Sequence, residues 1–173
     1  SQEALRKSIG LVLQEPFLYH GTIASNIRMY HKELTDEDVR QAAAFVDVAD
    51  FIESLPGGYD HPVTERGSTL STGQRQLLAF ARTIAGQPKI LILDEATANI
   101  DQETEEMIQN SLKKMRQGRT TIAIAHRLST IQDADCIYVL DKGKIIESGN
   151  HDQLIALGGT YKKMYDLQAG MMK

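Results

Sequence analysis

The chain has 173 residues, 42% hydrophobic and 24% charged, a composition that excludes collagen-like, disordered and disulfide-scaffold classes and fits one domain with room for a subdomain. Its net charge of −4 gives no general electrostatic reason to bind nucleic acid, so any phosphate binding has to be local. No apolar run approaches the roughly 20 residues of a bilayer crossing and the N-terminal SQEALRKS lacks signal-peptide shape. The chain therefore reads as soluble and, beginning at Ser1 inside what reads as an ordered unit, as a piece of a longer protein.

In chain order, SIGLVL (Ser8 to Leu13) predicts a short buried strand that delivers Gln14 to a loop containing Pro16 and Gly21. Helical patterning begins at Thr22 in TIASNIRMY. Thr35 with Asp38 predicts a capping box opening DEDVRQAAAFVDV, and ADFIESL continues that helix until Pro56-Gly57-Gly58 breaks it. The irregular stretch GGYDHPVTERGST follows, so the chain from Gln14 to about Gly86 reads as mainly helical.

The second half alternates: strand KILILD, helix QETEEMIQNSLKKMR, strand TTIAIAH, short helix STIQDA, strands CIYVLD and KIIESG, then short helices from His151 and Thr160. Such nearly all-apolar strands between helices argue for a mostly parallel sheet covered on both faces. Asp141-Lys142-Gly143 is a hairpin signal and predicts an antiparallel edge to that sheet. Cys136, in the run DCIYVL, reads as a buried strand residue of a protein from a reducing compartment. The expected architecture is an α/β core from residues 1–14 and 87–173, with a helical subdomain at about 15–86 inserted after the first strand.

ILILDEATANID puts two acids where a parallel strand leaves the core at its carboxyl end, the edge at which open α/β sheets bind ligands. Asp94 suits Mg2+, which takes oxygen ligands and keeps several waters, and Glu95 suits polarising a water for attack on a phosphoryl group. Taken alone, the pattern is weak, because acids capping strand ends are common. In LSTGQRQLLAFART, Ser71 is a good N-cap, Gly73 allows a backbone N–H close to a ligand, and the helix start makes an anion site. Out of context, it is also an ordinary capped helix. TTIAIAHR carries His126 to the polar end of a strand expected beside that of Asp94, and a lone histidine is otherwise structural. Gln14 ends a third strand.

Together these residues resemble the nucleotide-binding domain of an ATP-binding cassette (ABC) transporter. LSTGQ (Leu70 to Gln74) resembles the family signature, ILILDE its Walker B strand, ANID (Ala98 to Asp101) its D-loop, AHR its switch histidine and VLQEP its Q-loop, all in the family's order and spacing. FLYHGTIASNI, TERG and AHRLSTIQDADCIYVLDKGKIIESGNHDQL are similar to the exporter branch. The resemblance implies a P-loop NTPase-like core, ATP with Mg2+, and a head-to-tail dimer with a second nucleotide-binding domain. It also implies a transmembrane domain, usually in the same polypeptide, which would put the chain at the cytoplasmic face of the cell membrane.

Residue by residue, the resemblance implies that Asp94 binds Mg2+, Glu95 is the general base and His126 holds the γ-phosphate. Gln14 would contact Mg2+ and lie near the coupling helices of the membrane domain. The signature residues Ser71, Thr72, Gly73 and Gln74 would face ATP bound to the opposite subunit, and Asp101 would support that interface. Glu65 and Arg66 resemble the exporter X-loop that meets the membrane domain, with a plain solvated loop as the alternative.

Two features depart from the family pattern. No G-x-x-x-x-G-K-[ST] loop occurs, since Gly143-Lys144 is followed by Ile145 in a hairpin turn. The chain thus corresponds to the C-terminal portion of such a domain, expected by itself to bind ATP weakly or not at all and to self-associate through uncovered apolar surface. Thr72 stands where the family usually has glycine, as in members whose heterodimers have one impaired ATP site; homodimer and heterodimer stay open. Two other functions remain open at this level: a soluble ABC-type ATPase acting on DNA or ribosomes, and a non-catalytic interaction module.

Overall fold

The computed structural model describes residues 2–29, 31–64, 67–94, 102–125 and 127–170. The chain divides into two compact units, residues 1–124 and 125–173.

The first unit begins with helix α1 (Gln2–Ser8) and strand β1 (Ile9–Val12). A small antiparallel pair, β2 (Gly21–Thr22) and β3 (Pro62–Val63), brackets helices α2 (Ile23–Arg28), α3 (Asp36–Phe45) and α4 (Ala49–Ser54). The long helix α5 (Thr72–Ala85), strand β4 (Ile90–Asp94), helix α6 (Gln102–Arg116) and strand β5 (Thr120–Ile124) complete it.

Local chemistry sets the helix starts. Thr35 and Asp38 form the expected capping box, each side chain bonding the other's backbone N–H, and Thr22 does the same with Ser25. The helix expected to run from Asp36 through Leu55 is instead two helices. Asp47 adopts a left-handed φ of 58° between α3 and α4, and the bend is held from α6. The buried Ser111 hydroxyl donates to the Val46 carbonyl at 2.9 Å, and Lys114 pairs with Asp47 at 2.5 Å. Partners more than 60 residues away thus stabilise a break that local patterning does not show.

β1, β4 and β5 form a parallel sheet in the order β1-β4-β5, with Leu11 opposite Ile92 and Ile92 opposite Ile122. Because side chains alternate along strands, Val12, Leu91 and Leu93 point to one face. There they join Leu78, Phe80, Ile84, Ile108 and Met115 of α5 and α6 in the main core. Gly10 is required by this packing, since a Cβ there would lie 2.6 Å from Thr83 of α5 and 2.8 Å from Pro88 in the segment after it. The other face corrects the expectation of a sheet covered on both sides. Leu11 is 52% exposed and Ile122 56%, with Ile124 and Leu13 similarly open. The apolar surface expected to be left uncovered lies here.

The second unit has a one-turn 3-10 helix (Leu128–Thr130) where a short helix was expected. Strands β6 (Ile137–Asp141) and β7 (Lys144–Gly149) and helices α7 (His151–Leu157) and α8 (Thr160–Gln168) follow. The Asp141-Lys142-Gly143 hairpin forms, with Lys142 and Gly143 both at positive φ as a two-residue turn of this kind demands. It makes its own two-stranded sheet rather than an antiparallel edge of the parallel one. Cys136 is exposed, not buried. Ile137 and Val139 take the core side, so alternation turns the residue before Ile137 outward.

Candidate functional site

Two described features carry the expected chemistry. The first is the start of α5. Ser71 is its N-cap: its Oγ accepts from the Gln74 N–H at 3.1 Å, and the Gln74 Oε1 accepts from the Ser71 N–H at 2.9 Å. With its oxygen used as acceptor, the exposed Ser71 hydroxyl retains a proton to donate outward. The first helical amides, Thr72 and Gly73, have no carbonyl one turn back within the helix. The turn therefore presents an O–H donor and backbone N–H groups at the positive end of a 14-residue helix.

Arg75 closes this turn from the inside. Its guanidinium donates to the Leu70 carbonyl at 2.5 Å and to the Thr72 Oγ1 at 3.1 Å. Residue Thr72 thus has a structural partner that a glycine could not provide. Among the described residues, the side-chain hydrogen bonds of Ser71, Thr72, Gln74 and Arg75 stay within Leu70–Arg75. The side-chain bonds of the turn are thus local, and Gly73 within it has little exposed surface.

The second feature is the carboxyl edge of the parallel sheet. Asp94 is the last residue of β4, half-buried, and pairs in register with Ile124 of β5. Val12 pairs with Leu93 on the other side, so Gln14, exposed two residues later, leaves the same edge from the neighbouring strand. β5 is the neighbour of β4, as expected from sequence. Glu65, Arg66, Glu95, Asp101 and His126 lie outside the described residues. Among the described residues no group of three or more His, Cys, Asp or Glu is placed to hold a metal by itself. The half-buried Asp94 carboxylate does offer the hard oxygen donor that Mg2+ takes while keeping most of its waters, and the residues present fit that ion on this count.

Two residues that pattern reading did not single out bind these features to the fold. Asn26, on the apolar side of α2 with Ile23 and Ile27, is 2% exposed and bonds the backbone of the loop that follows Gln14. Arg82 of α5 bonds Asn26 and the same loop. The available signal was an amide at helical spacing between two buried isoleucines, and a lone arginine inside the apolar run AFARTIA.

A parallel sheet with an acid at its carboxyl edge, and helices inserted between its first two paired strands, defines a P-loop NTPase-like nucleotide-binding fold. Residues 1–98 match the ABC transporter family, and the chain belongs to that family. It is 78% identical over 172 residues to the ABC transporter ATP-binding protein exp8 of Streptococcus pneumoniae, covering 99% of this chain and 29% of that protein. It is 54% identical to the multidrug resistance ABC transporter ATP-binding/permease protein YheH of Bacillus subtilis, covering 98% of this chain and 25% of that one. Its structure is similar to that of a bacterial Atm1-family ABC exporter with ATP bound, at a TM-score of 0.88 and 44% identity, over 98% of this chain and 30% of that chain. The chain thus spans less than a third of the length of these relatives and is homologous to the ATP-binding domain of ABC exporters. Among the described residues no helix is long and apolar enough to cross a membrane.

Proposed function

We propose that this chain is the C-terminal portion of the ATPase domain of an ABC exporter, which couples ATP binding and hydrolysis at a head-to-tail dimer interface to export of a substrate. Residues 1–14 and 87–173 then belong to the α/β core and about 15–86 to a helical subdomain, a division supported by helices α2 to α5 lying in sequence between two paired strands. The carrying observation is that donor and acceptor chemistry are built apart. The Ser71 turn offers a hydroxyl and backbone N–H donors at a helix start, and the edge with Asp94 and Gln14 offers oxygen ligands.

In this reading Asp94 and Gln14 would hold the Mg2+ that accompanies this chain's own ATP. Mg2+, when bound, neutralises phosphate charge. Glu95 takes the proton of the attacking water as general base, and His126 donates to the γ-phosphate as negative charge develops there. Ser71, Thr72, Gly73 and Gln74 face the ATP of the partner subunit, where the Ser71 O–H and the Gly73 N–H donate to phosphate oxygens, and Asp101 supports the same interface. Gln14 together with Glu65 and Arg66 faces a transmembrane domain, which would hold the protein at the cytoplasmic side of the membrane. The permease half in the name of YheH supports such a partner.

No phosphate-cradling loop lies in these 173 residues, so the isolated chain is predicted not to hydrolyse ATP. The test uses the full-length protein that carries this chain. Glu95→Gln is expected to abolish ATP hydrolysis while Mg-ATP binding persists by calorimetry. Undiminished hydrolysis in that variant, or micromolar Mg-ATP affinity of the 173-residue chain alone, would overturn the reading.

A further inference from the structure

The loop from Leu13 to His20 carries Gln14 and has no regular secondary structure, so hydrogen bonds outside any ladder must hold it in place. β1 fixes its beginning. Its far end is fixed by two side chains. The Asn26 Oδ1 accepts from the Tyr19 N–H at 2.8 Å, and its Nδ2 donates to the Tyr19 carbonyl at 2.8 Å and the Thr22 carbonyl at 3.0 Å. Arg82 then reaches across from α5. Its Nε donates to the Asn26 carbonyl at 2.7 Å, Nη2 to the Asn26 Oδ1 at 3.0 Å, and Nη1 to the Phe17 carbonyl at 2.9 Å.

The planar guanidinium thus bonds the loop directly and also bonds the residue that holds the loop. Its carbon lies 5.8 Å from the centre of the Tyr19 ring, and Leu18 between the bonded residues is fully buried. Phe17, where the clamp begins, is three residues from Gln14. Arg82 belongs to the same helix that opens at Ser71.

We propose that Arg82 and Asn26 are positioning residues that set where Gln14 stands, by anchoring its loop to the helix that carries the signature turn. This rests on the reading of Gln14 as a site residue. The loop then moves with α5, and loosening the clamp acts through Gln14 rather than only through stability. Removing either side chain leaves the groups it bonded without those partners.

The test is a double-mutant cycle in the full-length protein between Gln14→Ala and Arg82→Lys, read as ATPase kcat/KM and as the Mg2+ concentration for half-maximal rate. Asn26→Asp, which keeps the Oδ1 acceptor and loses the amide donor, is the second variant should the first fail to fold. The clamp variants are expected to shift the Mg2+ requirement in the same direction as Gln14→Ala. Added to Gln14→Ala, they should cost no more than about threefold further, because residues in one network couple. Losses that multiply independently, or a Gln14→Ala protein with unchanged kinetics, overturn the proposal. Glu95→Gln run in parallel separates the two levels: if it hydrolyses ATP normally, the reading of the site fails irrespective of the cycle.

Discussion

The two units hold themselves together differently. In the first, α5 is buried along most of its length and sits in a large apolar cluster with α2, α3 and α6. Polar ties such as Asn26 with Arg82, and Ser111 with Val46, are made inside or at the edge of that cluster. Among the described residues of the second unit the buried core is smaller, Leu128, Ile137, Val139, Leu154 and Tyr161, and its polar bonds join the ends of its elements. The Glu147 carboxylate accepts from the Thr160 and Tyr161 N–H groups at the start of α8, His151 bonds the Tyr161 hydroxyl at 2.8 Å, and Gln168 accepts from the Leu128 N–H at 2.8 Å. Where little apolar area is buried, caps and side-chain bonds have to supply more of the order.

That contrast can be broken in order of expected effect. Phe80→Ala removes a fully buried ring from the centre of the first unit and should cost about 3–5 kcal/mol in denaturant unfolding, with hydrogen-exchange protection lost across α2, α3 and α5. Ser111→Ala leaves the Val46 carbonyl without its buried donor. A loss of about 1–3 kcal/mol is expected, read most clearly as faster exchange at the α3–α4 bend. Tyr161→Phe keeps the ring and removes only the bond to His151. Its expected cost is about 0.5–1.5 kcal/mol, confined to exchange in the second unit; an equal loss in the first would remove the contrast.

The gentlest probe is acid. The backbone N–H groups of Tyr161 and Thr160 hold the Glu147 carboxyl below its ordinary value of 4.5. A folded-state value below the unfolded one means that the ionised form favours the fold. Its contribution is complete above pH 4.5 and disappears as the pH falls through the lowered folded value. Exchange protection of α8 should therefore weaken on acidification below that range, and Glu147→Gln should flatten this limb. An unchanged acid limb in the variant would show that the carboxylate does not hold the helix start.

The uncovered sheet face bears on the same contrast, because the large core of the first unit serves only one side of its sheet. Leu11, Ile122 and Ile124 form open apolar rows, and apolar area of this kind drives association. Light scattering on the isolated chain at increasing concentration is expected to report species larger than a monomer.

Much of the fold was legible in local chemistry. The capping box at Thr35, the N-cap at Ser71, the extent of α6, the turn at Lys142-Gly143 and the two C-terminal helices all depend on contacts within a few residues. The candidate site was legible in the same sense at Ser71 and Asp94, because an N-cap and a strand end are local features. Other readings failed where the decision was not local. Cys136 sits in an apolar run yet faces out, and the hairpin expected at the edge of the parallel sheet forms, among the described residues, a two-stranded sheet of its own.

By itself the sequence determined the longer helices and the strands of the parallel sheet, the N-cap at the start of α5 and the acid at the end of β4, and the family to which the chain belongs. Only the tertiary structure decided which face of each strand is buried, where the helix breaks at Asp47, and that Arg82 of α5 holds the loop after Gln14 through Asn26. Caps and turns are chosen by neighbours along the chain. Burial and long-range hydrogen bonds are chosen by partners such as Asn26 and Arg82, 56 positions apart, and those become neighbours only when the core assembles.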